Sequence, residues 1–290
     1  MNFKSLYEAS KNAESIKTKE DVYKWLASHN LATKDYPKKL SHYEETYYQV
    51  ADDLTVSLYG SESKFLLDSR TFTGTELPIK FGKCDGQFSV SGTNINSFKN
   101  FPQRWGNEST LHIDGSAITS FHGMSEFRGT RIVLSDTDIE SFEGFNATSL
   151  VNDIRATAMP ELKSLKGLPD DLMTTHLHLG SYKLTSLEGL PKTHLAALTL
   201  KNCPELLSLG GIASYCPNLR KITFKDTHIE SNILGLMKMK KLDYITMEGC
   251  SEEFRKAVTV IMDHRETEEQ DITECMDELI EKGLKAFAKT

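Results

Sequence analysis

Seven serines stand in register along the middle of the chain, and a row of hydroxyls is the first feature that could do chemistry. Each lies two residues after an aliphatic residue, in elements that begin at Ile95, Ile118, Ile139, Leu162, Leu184, Leu206 and Ile229. The steps between them are 23, 21, 23, 22, 22 and 23 residues. A nucleophilic serine needs a base within hydrogen-bond reach, and none recurs at a fixed offset from these seven. The expectation is structural: the hydroxyls form an internal ladder, capping backbone groups of their own or the next turn. Histidines are the next candidates. His176 and His178 are expected on opposite faces of one strand, and His112 lies three coils from His178 at about 4.8 Å per coil. Neither pair should share an ion. The five cysteines, Cys84, Cys203, Cys216, Cys250 and Cys275, show no close C-x-x-C spacing and read as buried, reduced thiols. With no phosphate-cradling glycine loop and no recurring carboxylate pair, the expectation is a protein with no catalysis, cofactor or metal.

These residues need elements to hold them. Upstream of each serine is an apolar-x-apolar pair, the mark of a strand with one face inward. The pairs are Phe88/Val90, Leu111/Ile113, Ile132/Leu134, Ile154/Ala156, Leu177/Leu179, Leu198/Leu200 and Ile222/Phe224, and an eighth, Ile245/Met247, follows the last serine. Downstream, Gly123, Gly144, Gly167, Gly189 and Gly211 follow their serines by three residues, with Asn100 in the first coil and Gly235 one residue late in the last. A coil therefore reads strand, turn, apolar plug, serine, glycine turn and return. No coil can bury its own apolar edge, so coils must stack into a parallel sheet. The fold class expected is an α/β solenoid, a leucine-rich-repeat-like stack of about seven coils of 21–23 residues with helical caps at both ends.

Three regions follow: a helical N-terminal cap over 1–50, the solenoid over 51–250 and a helical C-terminal cap over 251–290. Thr18 is the expected N-cap of a helix carrying Val22, Trp25 and Leu26, with Asp21 completing the capping box. LTVSLYG and KFLLDS, between about 51 and 80, are expected to begin the stacked sheet. At the other end Ser251 caps a helix with Phe254, Val258 and Ile261. Asp271, with Glu274, starts another that carries Cys275 and Leu279. The outer sheet face is the candidate partner-binding surface. It displays His112, Arg155, His178, Thr199 and Thr223 between the paired aliphatics, and Asp114, Lys201 and Lys225 just after them. His112, Arg155 and His178 are the expected centre, because long hydrogen-bonding side chains dominate hot spots. The formal charge of −7 over 290 residues disfavours a nucleic-acid binder. No apolar run suits a signal peptide or a membrane span, so no membrane partner is expected.

SLKGLP (164–169), LTSLEGLP (184–191) and the entry segment LPIKFGKCDGQFSVSGTNINSF (77–98) resemble the leucine-rich-repeat-like proteins of large tailed bacteriophages. The resemblance covers about residues 1–250 and is specific for architecture. Phe replaces Leu in the first three coils, which bears on packing. The resemblance implies a phage protein that binds a host or phage protein in the host cytoplasm. It also implies an alternative, a virion-packaged head protein whose N-terminal peptide is cut after Leu6-Tyr7-Glu8; Leu279-Ile280-Glu281 matches the same loose pattern. Cys275-Met276-Asp277 resembles the Cys-x-Asp element of bacterial effector ubiquitin ligases. The roughly 40 residues after the repeats are too short for their catalytic domain.

Overall fold

The alternating aliphatic pairs do form strands, because a residue flanked by polar neighbours can bury only one side of an extended chain. In the computed structural model, residues 16–29, 47–67, 69–70, 72–147, 151–265 and 271–289 are described. Leu6-Tyr7-Glu8 lies outside them. The chain divides into two compact units: Met1–Asp138 with Glu143–Val151, and Ile139–Phe142 with Asn152–Thr290. Each is a parallel-sheet β-solenoid.

Unit 1 opens with helix α1 (Lys19–Ser28), capped by Thr18 with the reciprocal Asp21 contact. Val22, Trp25 and Leu26 are buried, and Trp25 lies 6.4 Å from the ring of Phe65. The solenoid sheet runs β3 (Lys64–Leu66), β5 (Gln87–Ser89), β7 (Thr110–His112), β8 (Arg131–Val133), all parallel. β3 thus adds a coil ahead of those that carry the serine element. Its core is aromatic: Phe88, fully buried, meets Phe65 at 4.5 Å, Phe81 at 5.0 Å and Phe101 at 5.2 Å. A second sheet orders β1 (Tyr47–Val50), β2 (Val56–Tyr59), β4 (Phe81–Cys84) and β6 (Arg104–Trp105), with β1 antiparallel to β2. LTVSLYG therefore supplies this second sheet, and only KFLLDS starts the stacked one. Strand β1 also falls inside the stretch read as a helical cap.

Unit 2 stacks β9 (Asp153–Met159), β10 (His176–Ser181), β11 (Ala197–Lys201), β12 (Lys221–Lys225) and β13 (Tyr244–Glu248), all parallel. Its core is aliphatic, from Leu177, Leu179, Leu198, Leu200 and Ile222. The returns are turns and bends apart from one helical turn, α2 (Ile212–Tyr215), and a 3-10 segment, Leu234–Lys238. Helix α3 (Glu252–Arg265) starts where Ser251 Oγ accepts the Phe254 N–H, and its Phe254 ring meets Phe224 at 5.1 Å. Helix α4 (Ile272–Glu281) is capped by Asp271, which accepts from the Thr273 and Glu274 amides, and buries Cys275 and Leu279. Leu279 of the second cleavage-like motif is thus a core residue. Among the described residues, no helix is long and apolar enough to cross a membrane.

Two left-handed positions turn most coils. Five of the glycines after the serines have positive φ, as does Asn100; in the last coil it is Asn232 rather than Gly235. The other position, two residues past the second strand aliphatic, holds Gly92, Gly115, Asp136, Ala158, Asn202, Asp226 and Gly249. Glycine, Asp and Asn tolerate that conformation, whereas Ala158 bears the strain of its Cβ.

The buried polar ladder is not the serine row. The repeated serines are half-buried or exposed, and Ser164, Ser186 and Ser208 each accept the N–H two residues on. In these three that is the expected turn-capping, but at the surface, where the side chain leaves the stack at the start of its turn. The interior positions fall at or just past the strand end, before the first plug, at Thr93, Ser116, Thr137, Ser181, Cys203, Thr227 and Cys250, all buried. Thr93 and Thr137 return their hydroxyls to Val90 O and Leu134 O, and Ser181 donates to Leu162 O of the preceding coil at 2.5 Å. Cys203 and Cys250 occupy the same slot, which accounts for two of the five buried thiols.

Candidate functional site

The outer face of each sheet is built by the side chains that alternate with the buried aliphatics. In unit 1, Ser89, His112 and Val133 stand in register. Asp114 joins them through hydrogen bonds: it accepts from Ser91 Oγ at 2.8 Å, Ser91 meets Ser89 at 3.0 Å, and His112 Nδ1 lies 3.9 Å from the carboxylate. This face is small and already satisfied by its own contacts.

In unit 2 the outer face is an ordered grid. Its middle row reads Arg155, His178, Thr199, Thr223 and Thr246, and beside it Lys201, Lys225 and Glu248 align. The structure therefore brings Arg155, His178, Thr199, Thr223, Lys201 and Lys225 onto one surface. Their accessibility differs: Arg155, Lys201 and Thr246 are exposed, while His178, Thr199, Thr223 and Lys225 are half-buried. Arg155 Nε donates to Asp153 at 3.0 Å, His178 Nε2 is 3.6 Å from the same carboxylate, and Lys225 pairs with Glu248 at 2.7 Å. Burial holds His178 below the usual imidazole range, against the pull of Asp153 and together with the charge of Arg155.

A third row was missed in the sequence: Asp153, His176, Ala197, Lys221 and Tyr244. The signal was available, since the residue before each first aliphatic faces outward by the same period of two. The same period corrects the reading of the histidine pair. His176 and His178 flank buried Leu177 and both face out. Opposite faces therefore do not separate them. Even so, among the described residues no group of three or more His, Cys, Asp or Glu is placed to hold a metal.

Two other concavities compete with the sheet face. One, of about 580 Å³, follows the serine turns of unit 2 beside Ser164, Ser186, Glu188 and Tyr215. Two of its lysines are committed, Lys163 to Glu140 at 3.0 Å and Lys192 to Asp170 at 2.6 Å. The other, in unit 1, lies against the second sheet between Ser57, Tyr59, Gly82 and Arg104. Neither is lined by a histidine or a cysteine, so neither offers a His-activated or thiol nucleophile. The buried thiols offer none either: desolvation pushes Cys84 and Cys216 up to about 12 and, with the charge of Glu278, Cys275 up to about 11. Compared with known proteins, the chain matches no family model, no curated protein and no solved structure.

Proposed function

We propose that this chain is a leucine-rich-repeat-like, non-catalytic scaffold that binds a protein through the outer sheet face of its solenoid. One observation carries the reading: five parallel strands of unit 2 hold three registered rows of side chains outward, all polar but Ala197 and several of them exposed. Solenoids use such extended faces for recognition. Arg155 and His178 are the proposed anchors, with Thr199, Thr223, Lys201 and Lys225 around them; His112 and Asp114 are read in the same way on unit 1. The aliphatic-x-aliphatic strands followed by a buried Thr, Ser or Cys support the leucine-rich-repeat-like assignment. The contacts of Trp25 with Phe65 and of Phe254 with Phe224 support a capping role for α1 and α3. The motifs SLKGLP and LTSLEGLP support a phage protein at work in a host cytoplasm.

The test is affinity capture from a lysate of the cells in which the protein is made, comparing the native chain with Arg155→Ala/His178→Ala of unchanged circular dichroism. A partner kept by the native protein and lost by the double variant is expected. Identical captured sets would contradict the reading.

A further inference from the structure

The charge on the unit 2 sheet face runs against that of the chain. The chain carries a formal −7, yet the outward strand positions hold four cations, Arg155, Lys201, Lys221 and Lys225, against two anions, Asp153 and Glu248. Both anions are engaged, Asp153 with Arg155 and Glu248 with Lys225. Lys201 and Lys221 are exposed and have no ion-pair partner among the described residues. An uncompensated pair of ammonium groups on a sheet face selects for negative charge, through steering and through suppression of wrong partners.

The register sets their separation. Lys201 is aligned with Lys225, four residues along β12 from Lys221. At about 3.3 Å per residue and 4.8 Å per strand, their backbones are roughly 14 Å apart. An extended peptide lying along the strands places side chains of residues i and i+4 on one face about 13 Å apart. Thr199 and Thr223 sit between the two lysines in the middle row, where their hydroxyls can meet a peptide backbone.

We infer that this face receives an extended acidic protein segment whose carboxylates, four residues apart, pair with Lys201 and Lys221. The inference rests on the sheet face being the binding surface and adds the chemistry of the partner. Nucleic acid fits less well: two surplus cations make few phosphate contacts, and the outward residues of these strands include no Trp or Phe and a single Tyr, Tyr244, for base stacking.

The test is fluorescence anisotropy with the full-length protein and three labelled probes: a Gly/Ser/Thr peptide with Glu at i and i+4, the same peptide with Gln, and a twelve-nucleotide oligo-dT. The Glu peptide should bind at low salt, weaken as salt rises, and exceed both other probes. Lys201→Gln/Lys221→Gln should weaken it by roughly two- to thirty-fold, as two exposed pairs allow. Lys163→Gln/Lys192→Gln, which removes two committed lysines of the same unit, should leave it unchanged. Equal binding of the Gln peptide, tighter binding of oligo-dT, no binding of any probe, or equal loss in both lysine variants overturns the inference. The two readings fail separately: a captured partner lost with Arg155→Ala/His178→Ala but kept by Lys201→Gln/Lys221→Gln leaves the surface in place and removes the acidic segment.

Discussion

Replacing Ser181 with alanine should destabilise the protein far more than the same change at Ser186, although Ser186 belongs to the conspicuous repeat. Ser181 is 1% exposed; its hydroxyl donates to Leu162 O and accepts the Lys183 N–H at 3.1 Å. Removing it deletes two hydrogen bonds and leaves a buried carbonyl of the neighbouring coil without that donor, a loss of about 2–4 kcal/mol. Ser186 is exposed and accepts only the Glu188 N–H at 3.0 Å. Water replaces it there, so the loss should stay below about 1 kcal/mol. In urea, with an m-value of about 2–3 kcal/mol/M, the midpoint for Ser181→Ala should fall by roughly 1 M and that for Ser186→Ala by a few tenths. Ser181→Cys should recover part of the loss, since Cys203 and Cys250 fill the same slot. A midpoint lower for Ser186→Ala than for Ser181→Ala would refute the placement of the polar ladder.

Gly180→Ala should cost about 1–3 kcal/mol, because its Cβ would stand 2.7 Å from Lys201 O and 3.2 Å from Ala158 N, both backbone atoms. Ala158→Gly should instead stabilise by up to about 1 kcal/mol: relief of a left-handed alanine is worth about 1–2 kcal/mol, offset by the freer unfolded chain. Both are read from the same urea melts. Stability should fall in two steps on acidification. His178 is held low by burial, so its contribution is complete above the unfolded pKa of about 6.5 and is lost as the pH drops toward its folded value. Glu278, held low by hydrogen bonds from Lys282 and His264, loses its share below about 4.3. Thermal melts of His178→Asn should lack the upper step and keep the lower. Ellman's reagent at pH 8 should find almost no reactive thiol in the native protein and all five cysteines after denaturation; rapid labelling of Cys275 in the native state would contradict its burial.

The solenoid was legible because burial alternates: Leu177, Leu179, Leu198 and Leu200 can be satisfied only with one face inward. Helix starts at Thr18, Ser251 and Asp271 were legible from capping chemistry. The second sheet of unit 1 was not, since Arg104–Trp105 is two residues long and Phe81–Cys84 buries both ends around Gly82 and Lys83, leaving no alternation to read. The polar ladder was misplaced because a serine repeated without variation is easier to see than a slot shared by Thr, Ser and Cys. Gly92, Gly115, Asp136, Asn202, Asp226 and Gly249 repeat just before that slot and could have marked it. On the outer face, the middle row and Lys201 and Lys225 were placed from the pattern. His176 and Lys221 were lost because the alternation was not extended one step toward the strand starts.

The most direct test of the sheet face as the working surface is site-specific photo-crosslinking in a cell lysate. A photoreactive residue is placed at Thr199 or Thr223, with Thr185, exposed beside the serine turns, as the comparison. One discrete protein adduct is expected from Thr199 and Thr223 and none from Thr185. An adduct from Thr185 alone, or equal adducts from all three positions, would contradict it.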